Sequence, residues 1–254
     1  MLIMRSKGIL ACFIVFAFAQ SLFALTAREI MDKSEALPKA KSAESKMVMK
    51  IFKDGSVMDK EFESISGEID KGTDAALMTF TKPTKLKFLS HSFKDRASDQ
   101  WIMLTSGKIK RIAMTDKEKP FVNSHFFYDD MGGDNKNKDD FNLTLLPEKN
   151  ILGKDCYVIE SVPKPMKHKI YDKNVIYIRK ADFFPLRVDF YYRGENFKYL
   201  EIVEDKVIEG IITPLKLVMT RVDGSGKTEI ELVKGYPRYN VELKKSMFNP
   251  QSLR

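Results

Sequence analysis

Cysteine is almost missing from this chain: there are two, Cys12 and Cys156. Cys12 lies inside an apolar leader, so once that leader is removed Cys156 stands alone and no intramolecular disulfide is available. The fold must then rest on its core. Cys156 sits in the apolar run Cys156-Tyr157-Val158-Ile159 with no histidine beside it, which reads as a buried structural thiol rather than a nucleophile. Histidine is nearly as scarce. His91, His125 and His168 make no H-E-x-x-H and no close pair, so a histidine-built metal site has no support. There is no G-x-S-x-G elbow. Gly226-Lys227-Thr228 mimics the end of a phosphate loop, but that motif needs a glycine where Arg221 stands. Asp129-Asp130 leads into a stretch interleaved with Lys136 and Lys138 that lacks the glycine of a calcium loop, so it reads as a solvated loop. Blocks of one charge are also absent. The chain carries +8, yet its lysines are scattered as on an ordinary soluble surface rather than massed toward anionic headgroups or an acidic partner. No linear catalytic motif remains, and no cofactor is called for.

Long apolar runs are lacking with one exception. Arg5 and Lys7 precede eleven apolar residues, Ile9 to Ala19, and small residues follow. A membrane-spanning helix needs about 20 such residues, so the pattern reads as a secretory signal over residues 1–24, processed after Ala19 or Ala24. Cys12 superficially resembles a lipobox cysteine, but most of the apolar run lies beyond it. Export would set aside nucleic-acid chemistry. Residues 25–254 suffice for one domain, and no repeat or linker divides them.

What is present is mostly strand signal. Thr26-Ala27-Arg28-Glu29 fits a capping box, Ile30, Met31 and Leu37 supply an apolar stripe, and Pro38 stops this one short helix. From about residue 45 the period becomes two: Met47, Met49 and Ile51 alternate with Val48, Lys50 and Phe52. Turn signals follow at Asp54-Gly55, Lys71-Gly72, Ser106-Gly107, Arg193-Gly194, Glu209-Gly210 and Asp223-Gly224-Ser225-Gly226. Tight turns between neighbouring strands predict antiparallel pairing, in about eleven to thirteen strands with no βαβ rhythm. The glycine-bearing stretch from Met131 to Asp140 reads as a mobile loop. Several strands are expected to be apolar on both faces, at Phe88-Leu89, Trp101-Ile102-Met103-Leu104, Phe126-Phe127-Tyr128 and Phe183-Phe184. One small helix does not cover them. The sheet either closes into a filled barrel or sandwich, or curls around an apolar cavity that receives a ligand. The methionines suit an adaptable cavity wall and a core gap-filler alike.

Asp99-Gln100-Trp101-Ile102-Met103-Leu104, then Lys110-Arg111-Ile112-Ala113, then Phe121-Val122-Asn123-Ser124-His125-Phe126-Phe127-Tyr128-Asp129-Asp130-Met131 resemble the central signature of the outer-membrane lipoprotein-sorting, or LolA-like, proteins. Phe80-Thr81-Lys82-Pro83, Pro185-Leu186-Arg187-Val188-Asp189-Phe190-Tyr191 and Tyr239-Asn240-Val241 to Phe248 resemble flanking blocks in order. His125 stands where that pattern has aspartate, Asp129 where it has glutamate, and the loop after Met131 is short and lysine-rich. The resemblance implies a mainly β fold over residues 25–254: a curled, unclosed antiparallel half-barrel of roughly eleven strands, with a few short helices over an apolar cavity. It further implies a monomeric periplasmic carrier without catalysis, moving acyl chains of lipoproteins or other lipids between an inner-membrane transporter and an outer-membrane acceptor. Trp101, Met103, Phe80, Phe126, Met47 and Met49 are then the expected lining, though each serves equally as ordinary core. Lys110 and Arg111 are candidates for a headgroup or acidic partner, or for plain exposed strand charge. Alternatives are an accessory to an RND-type lipid exporter, a lipid-sensing regulator, and a lipid-ester hydrolase.

Overall fold

The computed structural model describes residues 25–94, 96–132, 138–165 and 169–254. The expected signal segment, most of the loop after Met131 and His168 therefore lie outside the described residues. One helix, α1 (Ala27–Glu35), is followed by β1 (Ser42–Lys53), β2 (Ser56–Asp70), β3 (Thr73–Lys82), β4 (Leu86–Phe93), β5 (Asp99–Met103) and β6 (Ile109–Arg111). After an irregular crossing come β7 (Phe141–Ile151), β8 (Lys154–Pro163), β9 (Lys173–Arg179), β10 (Pro185–Tyr192), β11 (Glu195–Ile208), β12 (Ile211–Arg221), β13 (Gly226–Leu232) and β14 (Arg238–Tyr239). They form a single sheet of fourteen strands, more than expected, in the order β6-β5-β4-β3-β2-β1-β13-β12-β11-β10-β9-β8-β7, with β14 against β1. All neighbours are antiparallel. The sheet does not close: β6 and β7 are its free edges.

Turn chemistry explains the meander. Asp54-Gly55, Arg193-Gly194 and Glu209-Gly210 each place two successive residues at positive φ, the geometry whose twist matches two antiparallel strands. Leu152-Gly153 does the same without any sequence warning, because leucine at φ 51° is an uncommon choice.

Register places one continuous face across the sheet. Ile159 opposes Ile176, Ile176 opposes Val188, Val188 opposes Leu200, Leu200 opposes Met219, Met219 opposes Thr228 and Thr228 opposes Ile51. Phe62, Phe80, Phe88 and Ile102 continue it toward β5, in a cluster that includes Met49 and Ile51. Two pieces of the chain cover that face. At the β7–β9 end α1 sets Ala27 and Ile30 against Ile159 and Ile178. Over β1 to β5 the segment 112–131 drives in Ile112, Phe121 and Phe126, and Phe121 meets Phe88 edge to face at 4.9 Å.

The opposite face of β3–β5 is covered too. Phe248 and Leu253, on the short C-terminal turns, pack against Ala75 and Leu89, with Trp101, Met103 and Leu77 around them. Phe88 and Leu89 are thus both fully buried, on opposite faces, by the protein's own chain. A strand greasy on both faces does not by itself demand a guest. Each such buried side chain contributes about 1.5–3 kcal/mol.

Candidate functional site

An apolar hollow lies where α1 hands over to β1. Thr26 caps the helix, its Oγ1 accepting from the Glu29 N–H at 3.2 Å, while Glu29 reaches back to the Thr26 N–H at 2.8 Å. Helical hydrogen bonding ends at Ala36, and Pro38 turns the chain into an extended link toward β1. Beneath that link is a hollow of 430 Å³, walled by Leu37, Pro38, Phe184, Pro185, Ile211 and Ile212. Leu37 and Ile212 are only partly buried, resting on a cluster of Cys156, Val158, Val175, Tyr177, Phe184 and Leu186. Cys156 is the buried free thiol expected, and burial pushes its pKa up.

A second, larger hollow of 810 Å³ opens beside the first between α1 and the β2–β3 hairpin, with Glu68, Asp74, Ser92, Phe93 and Lys94 in its wall. Glu35 and Lys39 border both hollows. The Glu35–Lys39 stretch therefore stands between an apolar recess and a charged opening, the division that a tail with a polar end requires. This stretch is fastened through the helix. Lys138 pairs with Asp32 and with Glu35 at 2.6 Å, and Arg28 pairs with Asp139. Both carboxylates hold the Lys138 pKa above its ordinary value. These bridges are exposed, and such pairs are worth about 0–1 kcal/mol each.

The residues singled out from sequence do not share one surface. Met49, Phe80 and Phe126 are buried in the cluster under segment 112–131, and Met47 packs against it. Trp101 and Met103 lie on the other face, beside Leu89, under the C-terminal turns. None of these six residues borders either of the two hollows described above. Lys110 and Arg111 are exposed and engaged within the chain, Lys110 with Asp116 at 2.9 Å and Arg111 with Asp99. The expectation of a solvated Asp129-Asp130 loop is overturned. Asp130 forms an ion pair at 2.6 Å with Lys198, a lysine with no exposed side-chain surface. It also accepts from the Phe127 N–H and the Tyr171 hydroxyl, each at 2.6 Å. The ammonium stands 3.9 Å from the Phe127 ring centre. Burial lowers the Lys198 pKa and Asp130 opposes that shift. The F-F-Y-D-D signature is thus a clasp that locks segment 112–131 onto β11.

Of the hollow-lining residues, Phe184 was read from sequence only as part of a strand apolar on both faces, and Ile211 and Ile212 were not singled out. The available signal was an apolar doublet directly after the Glu209-Gly210 turn, where a hairpin tip is normally polar.

Comparison places this architecture. A family described as an uncharacterized protein matches residues 72–254. The chain belongs to that family, and its fold is LolA-like. A DUF1329 family protein from Desulfovibrio piger is similar at 25% identity and TM-score 0.82, over 90% of this chain and 99% of its own. A Vibrio parahaemolyticus domain named for outer-membrane lipoprotein sorting is similar at 27% identity and TM-score 0.80, over 89% and 97%. A LolA superfamily protein from Nitrosomonas europaea, at 17% identity and TM-score 0.67 over 89% and 98%, shares the fold. No curated protein matches the chain.

Proposed function

We propose that this LolA-like chain is a periplasmic carrier that binds the acyl chains of lipoproteins or other lipids and moves them toward the outer membrane, acting by binding and release without catalysis. The observation that carries the reading is the apolar recess under the α1–β1 link, flanked across Glu35 and Lys39 by a charged hollow, in a fold similar to a lipoprotein-sorting domain. A hollow of 430 Å³ falls within the roughly 300–1,000 Å³ typical of small-molecule sites. Each methylene withdrawn from water contributes about 0.8 kcal/mol, so spontaneous escape of a long tail would be slow. Loading and unloading then need partners that shift the link: an inner-membrane transporter on one side, an outer-membrane acceptor on the other. The carrier works as a monomer, delivered by the signal segment at residues 1–24.

The test is uptake of a fluorescent long-chain fatty acid by the delipidated protein, with native mass spectrometry of the protein as isolated. Wild type should bind, and Ile212→Asp should weaken uptake by about tenfold or more, because a carboxylate in the recess must be desolvated. Absence of uptake by wild type, with no lipid co-purifying, overturns the proposal.

A further inference from the structure

At the far end of the strands lies a different kind of hollow. It measures 200 Å³ and is bounded by Lys53 at the end of β1, Ser124 and His125 of the inserted segment, and Arg221 and Ser225 of the β12–β13 hairpin. We propose that this hollow is a binding site for a phosphate-type oxyanion.

Its cations are held in place and incompletely neutralised. The Arg221 guanidinium lies 3.4 Å from the centre of the Phe197 ring, and its Nη2 donates to Asp223 Oδ2 at 2.6 Å. Its buried Nε–H has no acceptor among the described residues, so the guanidinium contributes its charge to the hollow rather than that N–H. Asp223 is the opposing charge, and it is already satisfied: the Ser225 N–H and hydroxyl donate to its other oxygen at 3.0 and 2.7 Å. Lys53 is exposed and makes no ion pair among the described residues. Thr228 Oγ1 accepts from the His125 N–H at 3.0 Å and lies 2.8 Å from its Nδ1. In the tautomer where the Thr228 hydroxyl donates to Nδ1, the neutral ring carries its proton on Nε2. Gly226 lies too close to its neighbours for a side chain, since a Cβ there would fall 2.1 Å from the Phe52 carbonyl oxygen and 2.9 Å from His125 Nε2. Burial depresses the His125 pKa, and Lys53, Arg221 and Lys198 depress it further against an opposing pull from Asp223.

The site does not depend on the carrier reading. β1 separates Lys53 from the α1–β1 link by 12 residues, about 40 Å of extended strand. A fatty acid in the apolar recess does not reach the hollow, so fatty-acid uptake is an independent readout.

The experiment is calorimetric titration of the full chain with inorganic phosphate, beside co-sedimentation with phosphatidylglycerol and phosphatidylcholine vesicles. Phosphate should bind wild type, about tenfold more weakly in Lys53→Gln and Arg221→Gln and not detectably in His125→Asp, with fatty-acid uptake unchanged. Silence toward phosphate with variant-sensitive binding to phosphatidylglycerol alone identifies the oxyanion as a headgroup and also upholds the site. No binding in either arm, or binding that Lys53→Gln and His125→Asp leave unaltered, overturns it. Should Arg221→Gln fail to fold, Lys53→Gln, at an exposed strand end, still decides the matter.

Discussion

Lys198 sits between Phe197 and Tyr199 and by sequence alternation reads as one more surface lysine. Its burial is invisible from the sequence because its partner, Asp130, is 68 residues away. The aromatic residues that screen it, Phe127, Tyr171 and Phe190, come from three separate stretches. Breaking such a pair on one side strands a charge in the interior, which costs about 3–5 kcal/mol, whereas removing both charges is far less damaging. Asp130→Ala should therefore destabilise more than the double variant Asp130→Asn with Lys198→Met, as read from urea unfolding midpoints. If Asp130→Ala lies within about 1 kcal/mol of wild type, the clasp contributes little and segment 112–131 is held by its aromatics alone. Trp101 teaches the same lesson. Periodicity gives its strand but not which face the C-terminal turns choose to cover.

At the level of elements, local signals were legible and long-range ones were not. The capping box and the helix-stopping proline near α1 are written within a dozen residues, and the structure follows them. The glycine-bearing hairpin turns were equally readable, save Leu152-Gly153, but Phe183-Phe184, expected in a strand, forms the β9–β10 turn with Phe183 at φ 61°. A three-residue β6 and a two-residue β14 carry no periodic pattern, which is why the strand number exceeded the expectation. A nine-residue helix is too short to persist alone in water, so α1 depends on Ile30, which has no exposed surface. Ile30→Ala should remove about 2–5 kcal/mol of docking energy, freeing the helix before the sheet loosens. Hydrogen exchange would then show amide protection falling across residues 27–36 while β1 and β2 keep theirs. Equal loss in both would mean that helix and sheet unfold as one unit.

For the molecule as a whole, pH acts in one direction on the acid side. Asp116 is held below the usual carboxylate range by hydrogen bonds from Lys119 and Lys110, and Glu229 by Lys216 and Lys227. A carboxyl with a depressed folded pKa contributes stability above its unfolded pKa and loses it as pH falls toward the folded one. His125, whose folded pKa is lowered chiefly by burial, adds a smaller loss that begins near pH 6.5. Thermal midpoints should fall gently from pH 7 to 5 and steeply below about pH 4. A midpoint at pH 3 equal to that at pH 7 would contradict this assignment. The open margins of the sheet have a further consequence at this scale. One margin, β6, offers only three residues, and the other, β7, is broken by a register irregularity between Leu146 and Lys149 that contains Pro147 and Glu148. Proline supplies no ladder N–H and a charged bulge bends the strand away. Neither rim offers a template for strand-by-strand fibril growth, so a sheet left unsealed need not zip onto its neighbours when crowded.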